Sequence, residues 1–201
     1  MTAKIKLNSA SGGGSFSLQA PSSSSNTRVM TLPDTADGTI LTTTNPKSGN
    51  ILQIKNTLKT DQFSTNSTSF VDVTGLSIDI TATSSSNKFY ISCVVFANCQ
   101  DSAFLRLVKD GTVIAAGTTS SETTLSPALF QGFGYVRNNS TSSGAAYGIA
   151  FLDTPGDTSS HTYKVQGLSE NGSSHNLKVN GRAMDNTMSL SSSITAMEVA
   201  A

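Results

Sequence analysis

The sequence has little charge. Its 201 residues include 13 basic and 13 acidic side chains, and charged residues make up 13% of the chain, about half the usual share. A neutral chain without a basic cluster argues against nucleic-acid binding, which depends on neutralising phosphates. No apolar run approaches the ~20 residues of a membrane helix, and the N-terminus lacks the form of a signal peptide. We therefore expect a protein that is made in a cytoplasm and binds neither nucleic acid nor the membrane interior.

Cysteine and histidine are also scarce. Cys93 and Cys99 cannot form a disulfide framework, and a C-x5-C spacing without other ligands does not make a metal site, so both thiols are expected to be reduced and partly buried. His161 and His175 are expected at a strand start and in a loop. Serine and aspartate are plentiful, so counting alone leaves a Ser-His-Asp set open, but no G-x-S-x-G motif supports it.

One acidic motif could carry chemistry. Asp153 and Asp157 in "DTPGD" could act as a carboxylate pair that cleaves glycans, or could contribute to a calcium site. The string is better explained as a turn, in which Asp starts the turn and Pro-Gly forms it. We therefore predict no enzyme activity, no catalytic, cofactor-binding or metal-binding residues, and no cofactor.

Helical periodicity is almost absent, and short alternating apolar and polar runs bounded by turn residues take its place. The Asp110–Gly111 pair is a strong signal for a two-residue hairpin. From Asn50 onward the pattern favours an all-β fold, an antiparallel β-sandwich of the jelly-roll type. The predicted strands are Ile51–Phe63, Ser69–Asp72, Leu76–Ala82, Lys88–Asn98, Ala103–Lys109, Thr112–Gly117, Pro127–Arg137, Ala145–Leu152, His161–Gly167, Asn176–Asn180 and Ser193–Ala200.

The first 49 residues differ from the rest, because their β-like pieces are short and separated by serine and glycine. The stretch "SASGGGSFSLQAPSSSSN" lacks the lysine and the following helix of a phosphate loop, and a flexible linker does not explain its alternating Phe16 and Leu18. Pieces this small cannot bury a core alone, so residues 1–49 are expected to form a β-arm that copies of the chain complete. The pieces are Lys4–Leu7, Ser15–Ala20, Arg28–Pro33 and Gly38–Thr43.

One predicted strand, Lys88–Asn98, is apolar on both alternations. Phe89, Ile91 and Val95 fall on one face, while Val94 and Phe96, with Tyr90, fall on the other. An antiparallel sandwich usually leaves one face of each sheet in water. The second apolar face requires either a covering loop or a subunit interface, and we favour the interface because the arm also requires partner chains.

Several stretches of the sequence resemble those of tail-fibre-like virion proteins of marine and cyanobacterial bacteriophages. The resemblance lies in "KIKLNSASGGGSFSLQAP" and "TLPDTADGTILT" in the arm, and in "FLRLVKDGT", "FLDTPGDTSSHTYKVQ" and "SSSITAMEV" after it. It implies a homotrimeric fibre or appendage of the virion whose residues 50–201 form a jelly-roll head of the complement and tumour-necrosis-factor type. The chain is short for a tail fibre and lacks a long coiled-coil region.

The resemblance implies a structural virion protein, most simply a short tail fibre or a fibre-like appendage that contacts the host surface. The alternatives are a capsid decoration or vertex protein with a purely assembly role, and a glycan-binding receptor module. Expected partners are copies of the chain and other virion proteins, with a host glycan as a further candidate. Tyr135, Arg137 and Asn138 have glycan-binding chemistry, with Tyr147 and Tyr163 as rival aromatics, although any single Tyr is more often core or interface filler.

Overall fold

A computed structural model describes residues 4–19, 22–27, 29, 46–116, 132–137, 143–172, 175–182 and 190–201. The chain divides into two compact units, Met1–Ile40 and Leu41–Ala201. The arm pieces predicted at Arg28–Pro33 and Gly38–Thr43 lie outside the described residues apart from Val29, as does the first part of the strand predicted at Pro127–Arg137.

The first unit contains an antiparallel hairpin of β1 (Lys4–Asn8) and β2 (Ser15–Gln19). Ile5 pairs with Leu18 and Leu7 pairs with Phe16. The connecting turn needs glycine, because Gly12 and Gly13 have φ values of 85° and 68°, a region that disfavours other residues. Ile5 and Leu7 are 65% and 57% exposed, so a single copy leaves the apolar side of this hairpin in solvent.

The second unit is built from antiparallel strands. Because their side chains alternate between core and surface, each strand has one apolar side that a facing sheet can cover. The strands are β3 (Ile51–Lys59), β4 (Phe63–Thr65), β5 (Val71–Thr81), β6 (Lys88–Asn98), β7 (Ala103–Lys109), β8 (Thr112–Ile114), β9 (Gly134–Val136), β10 (Ala145–Asp153), β11 (Ser160–Ser169), β12 (Leu177–Val179) and β13 (Ser192–Val199).

The six-stranded sheet is organised around β6. Ala97 pairs with both Ala145 of β10 and Val179 of β12, so these two strands lie on opposite edges of β6. β13 pairs with β6 on the edge that β12 shares, because Val94 pairs with both Gly148 of β10 and Ser193 of β13. β3 then pairs with β13, and β4 with β12. Across the middle of the sheet the order is therefore β3-β13-β6-β10.

The second sheet has the order β5-β11-β7-β8, and β9 also pairs with β7. The chain crosses between the sheets six times, at β4–β5, β5–β6, β6–β7, β9–β10, β10–β11 and β11–β12. The first strand of the sandwich, β3, lies beside the last, β13. This arrangement is typical of a jelly-roll-like sandwich. The all-β sandwich predicted from the sequence is confirmed, and the described residues contain no α-helix.

The core lies between the two sheets and is made from alternate residues of the long strands. Ile80, Phe89 and Ile91 are completely buried, and each such side chain contributes about 1.5–3 kcal/mol by leaving water. Tyr163 is also fully buried, with its ring edge-on to Phe89 at 6.2 Å. The core explains why β5, β6, β11 and β13 alternate so regularly between buried and less buried positions.

Several predicted strand boundaries are wrong. The strand predicted at Thr112–Gly117 ends at Ile114, and among the described residues of the one predicted at Pro127–Arg137 only Gly134–Val136 is strand. Two further differences have a visible cause. The strand predicted at Ile51–Phe63 ends at Lys59, because Asn180 Nδ2 donates hydrogen bonds to the carbonyls of Lys59 and Asp61 and fixes a break there. Conversely, the strands predicted at 69–72 and 76–82 are one strand, β5. Gly75, at φ 84°, lets the chain continue through an irregularity in the β5–β11 register instead of turning.

Candidate oligomer interface

The outer side of the six-stranded sheet is apolar. We call six outward-facing apolar residues of β3, β13 and β6 the apolar face. The outward side of these strands follows from alternation, because their other side enters the core. Residues that lie opposite each other on neighbouring strands form rows across the sheet. The apolar face consists of Ile54, Leu58, Met197, Tyr90, Val94 and Phe96.

Two rows of this face continue onto β10. Ile54, Met197 and Tyr90 form one row that ends at Leu152. Leu58 and Val94 belong to a second row that ends at a glycine of β10. The apolar pattern therefore crosses four strands.

Several of these side chains are exposed to a degree that is unusual for large apolar residues. Ile54, Leu58 and Leu152 are 59%, 60% and 50% exposed, and Val94 is 46% exposed. Among the residues that β3, β13, β6 and β10 turn outward, Lys88 at the start of β6 is the only charged one. Exposed apolar side chains that extend across four strands make this side a candidate interaction surface.

The polar residues within the patch are neutral and partly paired. Asn56, Thr195 and Ser92 form a row between the two apolar rows. Asn56 Nδ2 donates a hydrogen bond of 2.7 Å to Thr195 Oγ1. Because this row carries no charge, a partner can cover it without desolvating an ion.

The outer side of the five-stranded sheet, in contrast, is charged and polar. Asp72 accepts hydrogen bonds from Lys164 Nζ and Gln166 Nε2 at 3.0 and 2.7 Å, and the amide of Gln166 lowers the pKa of Asp72 most, followed by Lys164. Arg106 stacks 3.9 Å from the ring centre of Phe70 and bonds Gln166. This side therefore has the charged, hydrogen-bonded character of a solvent-facing surface.

The two carboxylates of "DTPGD" have different partners. Asp153 accepts hydrogen bonds from Lys109 Nζ at 2.8 Å and from Tyr163 OH at 2.5 Å. Burial and this contact with Asp153 raise the pKa of Tyr163. Asp157 accepts from the backbone N–H of Ser159. "DTPGD" begins at the last residue of β10, and its Gly156 has a φ of 81°.

His161 lies between two carboxylates. Its Nδ1 is 2.7 Å from Asp110 Oδ2 and its Nε2 is 3.2 Å from Asp157 Oδ1, and it occupies the second position of β11, as predicted. The hydrogen bond from His161, followed by the backbone N–H of Thr162, lowers the pKa of Asp110. Since both ring nitrogens are occupied by carboxylates, neither is free to activate a serine.

The remaining sequence candidates are distributed as follows. Tyr163 belongs to the core, and Tyr147 is half-buried against it. Tyr135 is 50% exposed and its hydroxyl lies 3.0 Å from Ser102 Oγ. Arg137 follows β9 and is exposed, whereas Asn138 lies outside the described residues.

Tyr135 borders a shallow cavity of about 330 Å³. Its other lining residues include Phe104, whose ring centre is 5.1 Å from that of Tyr135, and Phe133. The cavity is at the end of the sandwich formed by the start of β7. Pro46, where the described part of this unit begins, lies with Asn87 and Ala201 at the other end. An aromatic cavity therefore occupies the end opposite to the entry of the chain.

Within the described part of the chain, no three His, Cys, Asp or Glu side chains are grouped to hold a metal ion. No described helix is long and apolar enough to cross a membrane. Both cysteines are free and buried, and burial raises the pKa of Cys93 to about 12, which keeps it a thiol at neutral pH.

The sequence alone predicted only the β6 part of the apolar face. It identified Tyr90, Val94 and Phe96, which all lie on the outer side as predicted. It missed Ile54 and Leu58, although they belong to the alternation of β3, because the pairing of β3 beside β13 is a long-range contact. The apolar alternation of β3 was the available signal.

Comparison with known proteins does not identify a family for this chain. No family model matches the chain, and no curated protein matches it. Among solved structures it is similar to a chain in "Structure of infectious bursal disease virus Gx strain", with 14% sequence identity and a TM-score of 0.36, covering 96% of this chain and 50% of that one. The chain thus spans half the length of this structure. A likeness this distant carries no argument about function, and the description of the fold rests on the strand order.

Proposed function

We propose that the chain is a structural component of a bacteriophage virion, a short tail fibre or fibre-like appendage, and that it assembles as a homotrimer through the apolar face. The observation that carries this proposal is the uncharged outer side of the six-stranded sheet. It agrees with the resemblance of the sequence to phage fibre-like proteins, whose heads are expected to be trimeric. The head would then be of the complement and tumour-necrosis-factor type.

The arm has a matching role in this proposal. Ile5, Leu7 and Leu18 are exposed at 65%, 57% and 38% in a single chain, and an isolated hairpin is marginal in water. Ordering the arm costs about 1–2 kcal/mol per residue, which serine and glycine do little to offset. Intertwining with the arms of sister chains would cover these side chains, and residues 1–49 would form the stalk or attachment end.

Immunogold labelling of particles from a phage that encodes the chain tests the location. Label on fibres or appendages supports the proposal, and label on the capsid shell or its vertices favours the alternative, a decoration protein. Particles that carry no label and contain no peptide of the chain by mass spectrometry would contradict a virion role. In every virion version the expected partners include other virion proteins, and synthesis is expected in the host cytoplasm.

The aromatic cavity favours a second candidate function, recognition of a host-surface glycan. Phe104 and Tyr135 offer aromatic surface, and Ser102 offers a hydroxyl beside it. A glycan array with the intact protein and a Tyr135→Ala variant tests this: binding that the variant loses supports it, and equal signals from the two proteins count against it.

A further inference from the structure

The sequence contains the dipeptide Asn-Gly twice, at Asn171–Gly172 and at Asn180–Gly181. In this dipeptide the backbone can attack the asparagine side chain, because glycine has no Cβ to shield its amide nitrogen or to restrict its backbone. The attack converts asparagine into aspartate or into its β-linked isomer, isoaspartate. The two copies share this local chemistry, and the fold places them in opposite surroundings.

Asn180 is held rigidly. It is completely buried directly after β12. Its Nδ2 donates hydrogen bonds to the carbonyls of Lys59 and Asp61 at 2.9 and 3.0 Å, and its Oδ1 accepts one from Ser192 Oγ at 2.5 Å. Ring closure requires the side-chain carbon to come within roughly 3–3.5 Å of the next backbone nitrogen in the right orientation. Since rotation of this side chain would break three buried hydrogen bonds, we expect Asn180 to be protected.

Asn171 is much less restrained. It is exposed, in the turn that follows β11. Its Nδ2 donates a hydrogen bond to Asp101 Oδ2, which lies in the turn between β6 and β7 and whose side chain is 28% exposed. A hydrogen bond between solvent-accessible groups is readily exchanged for one to water, and exposed turns open at little cost in free energy. The Asn171 side chain can therefore rotate towards the nitrogen of Gly172 without disturbing the core.

We propose that Asn171 is a site of spontaneous deamidation. The backbone nitrogen of Gly172 loses its proton and attacks Cγ of Asn171; the Cγ–Nδ2 bond breaks, and the side-chain nitrogen leaves with that proton as ammonia. The resulting succinimide ring then takes up a water molecule. Cleavage of its bond between Cγ and the Gly172 nitrogen gives aspartate, and cleavage of the bond between that nitrogen and the backbone carbonyl of Asn171 gives isoaspartate. Water is the only co-reactant, and the site does not depend on the proposed assembly.

The modification changes the contact between two turns. Either product replaces the donor at position 171 with a carboxylate that faces Asp101, and like charges at this separation repel each other. The same two turns are joined by the backbone N–H of Glu170, which donates to the carbonyl of Ser102 at 2.8 Å. His175 Nδ1 lies 3.9 Å from Asp101 Oδ2 and offsets the repulsion only when its ring is protonated. Deamidation should therefore loosen this pair of turns and leave the core intact.

The second Asn-Gly pair is an internal control for the test. The intact, folded protein is incubated at physiological temperature in mildly alkaline buffer and followed by peptide mass spectrometry. Ammonia should be exchanged for water at Asn171, while Asn180 keeps its amide, and the isoaspartate should accept a methyl group from a protein isoaspartyl methyltransferase. In guanidinium chloride, where the fold protects neither pair, both should react. An Asn171 that reacts in denaturant but keeps its amide in the folded protein, or that reacts no faster than Asn180 there, would overturn the proposal.

Variants test the effect on the turns. Asn171→Asp reproduces one of the products, so the amide hydrogen of Glu170 should exchange faster in it than in the wild type. Asp101→Asn in the same chain removes the repulsion and should return the exchange rate towards that of the wild type. Asn171→Ser, which removes the amide without adding charge, is the matched control and should exchange more slowly than Asn171→Asp. Equal rates in Asn171→Asp and Asn171→Ser would contradict the proposed electrostatic effect.

Discussion

Tyr90 on β6 and Leu152 on β10 lie opposite each other in register, and both point to the outer side of the six-stranded sheet, where they are 38% and 50% exposed. A cross-strand pair of large apolar side chains normally stabilises a sheet when it is covered. Here the same row continues through Met197 to Ile54 without cover in a single chain. This row is the observation behind our proposal that the outer side is a subunit interface.

The centre of the apolar face should be sensitive to charge. In Val94→Asp or Phe96→Asp, an ionised carboxylate would have to be buried without a partner, which costs several kcal/mol, so the oligomer should dissociate or fail to assemble. Sedimentation velocity at matched concentrations of wild type, Val94→Asp and the control Ser77→Asp checks this. A Val94→Asp protein that sediments like wild type would remove β6 from the interface.

The core should respond differently from the face. Ile80 is completely buried between the sheets, so Ile80→Ala should lower the free energy of unfolding by about 2–5 kcal/mol. Ser77→Ala, exposed on the same strand, should change it by less than about 0.5 kcal/mol. Urea denaturation at one fixed protein concentration measures both. Equal effects of the two substitutions would contradict the assigned direction of β5.

Glu198 should stabilise the loop between β5 and β6. Its carboxylate is fully buried and accepts hydrogen bonds from Gln53, Asn87 and both the N–H and the hydroxyl of Thr83. Burial raises its pKa, but these hydrogen bonds outweigh burial and the pKa lies below its usual value. Glu198→Gln places a donor against donors and should cost about 1–3 kcal/mol in urea denaturation at pH 7. Glu170→Gln, in a turn, is the control and should cost little.

The contacts of Asp110 should make stability depend on acid pH. Its pKa is lowered in the folded state, chiefly by His161, so its contribution is complete above its unfolded pKa of about 3.9 and is lost as the pH falls through the lower folded value. Asp110→Asn should make the free energy of unfolding less dependent on pH below about pH 4. Asparagine suits this position, where φ is 50°, because it tolerates left-handed backbone. An unchanged slope in denaturant titrations between pH 5 and 3 would contradict this.

Local patterns in the sequence were sufficient for part of the fold. β6 and β7 have the bounds predicted from alternation, Lys88–Asn98 and Ala103–Lys109, because their turns follow directly from nearby Asn, Ser and Asp-Gly residues. The break after Lys59 could not be predicted, since it depends on Asn180, which is distant in sequence. The continuation of β5 through Gly75 was missed because glycine in an alternating run resembles a turn until the pairing with β11 is known.

The candidate interface, like the fold, could be predicted only where it depends on local sequence. The apolar second face of β6 is a local property and was predicted from sequence. The contributions of Ile54, Met197 and Leu152 depend on which strands lie beside β6, and this pairing joins distant segments of the chain. The contact between His161 and Asp110 likewise joins residues that are far apart in the sequence. The sequence therefore could not show that carboxylates occupy the ring nitrogens of His161.

The mass of the intact wild-type protein in solution tests the central claim most directly. Light scattering coupled to size exclusion, at micromolar concentration and physiological salt, should give three times the 20.8 kDa of one chain, and Val94→Asp should reduce it to a single chain. A monodisperse wild-type monomer would contradict both the proposed trimer and the assignment of the apolar face as its interface.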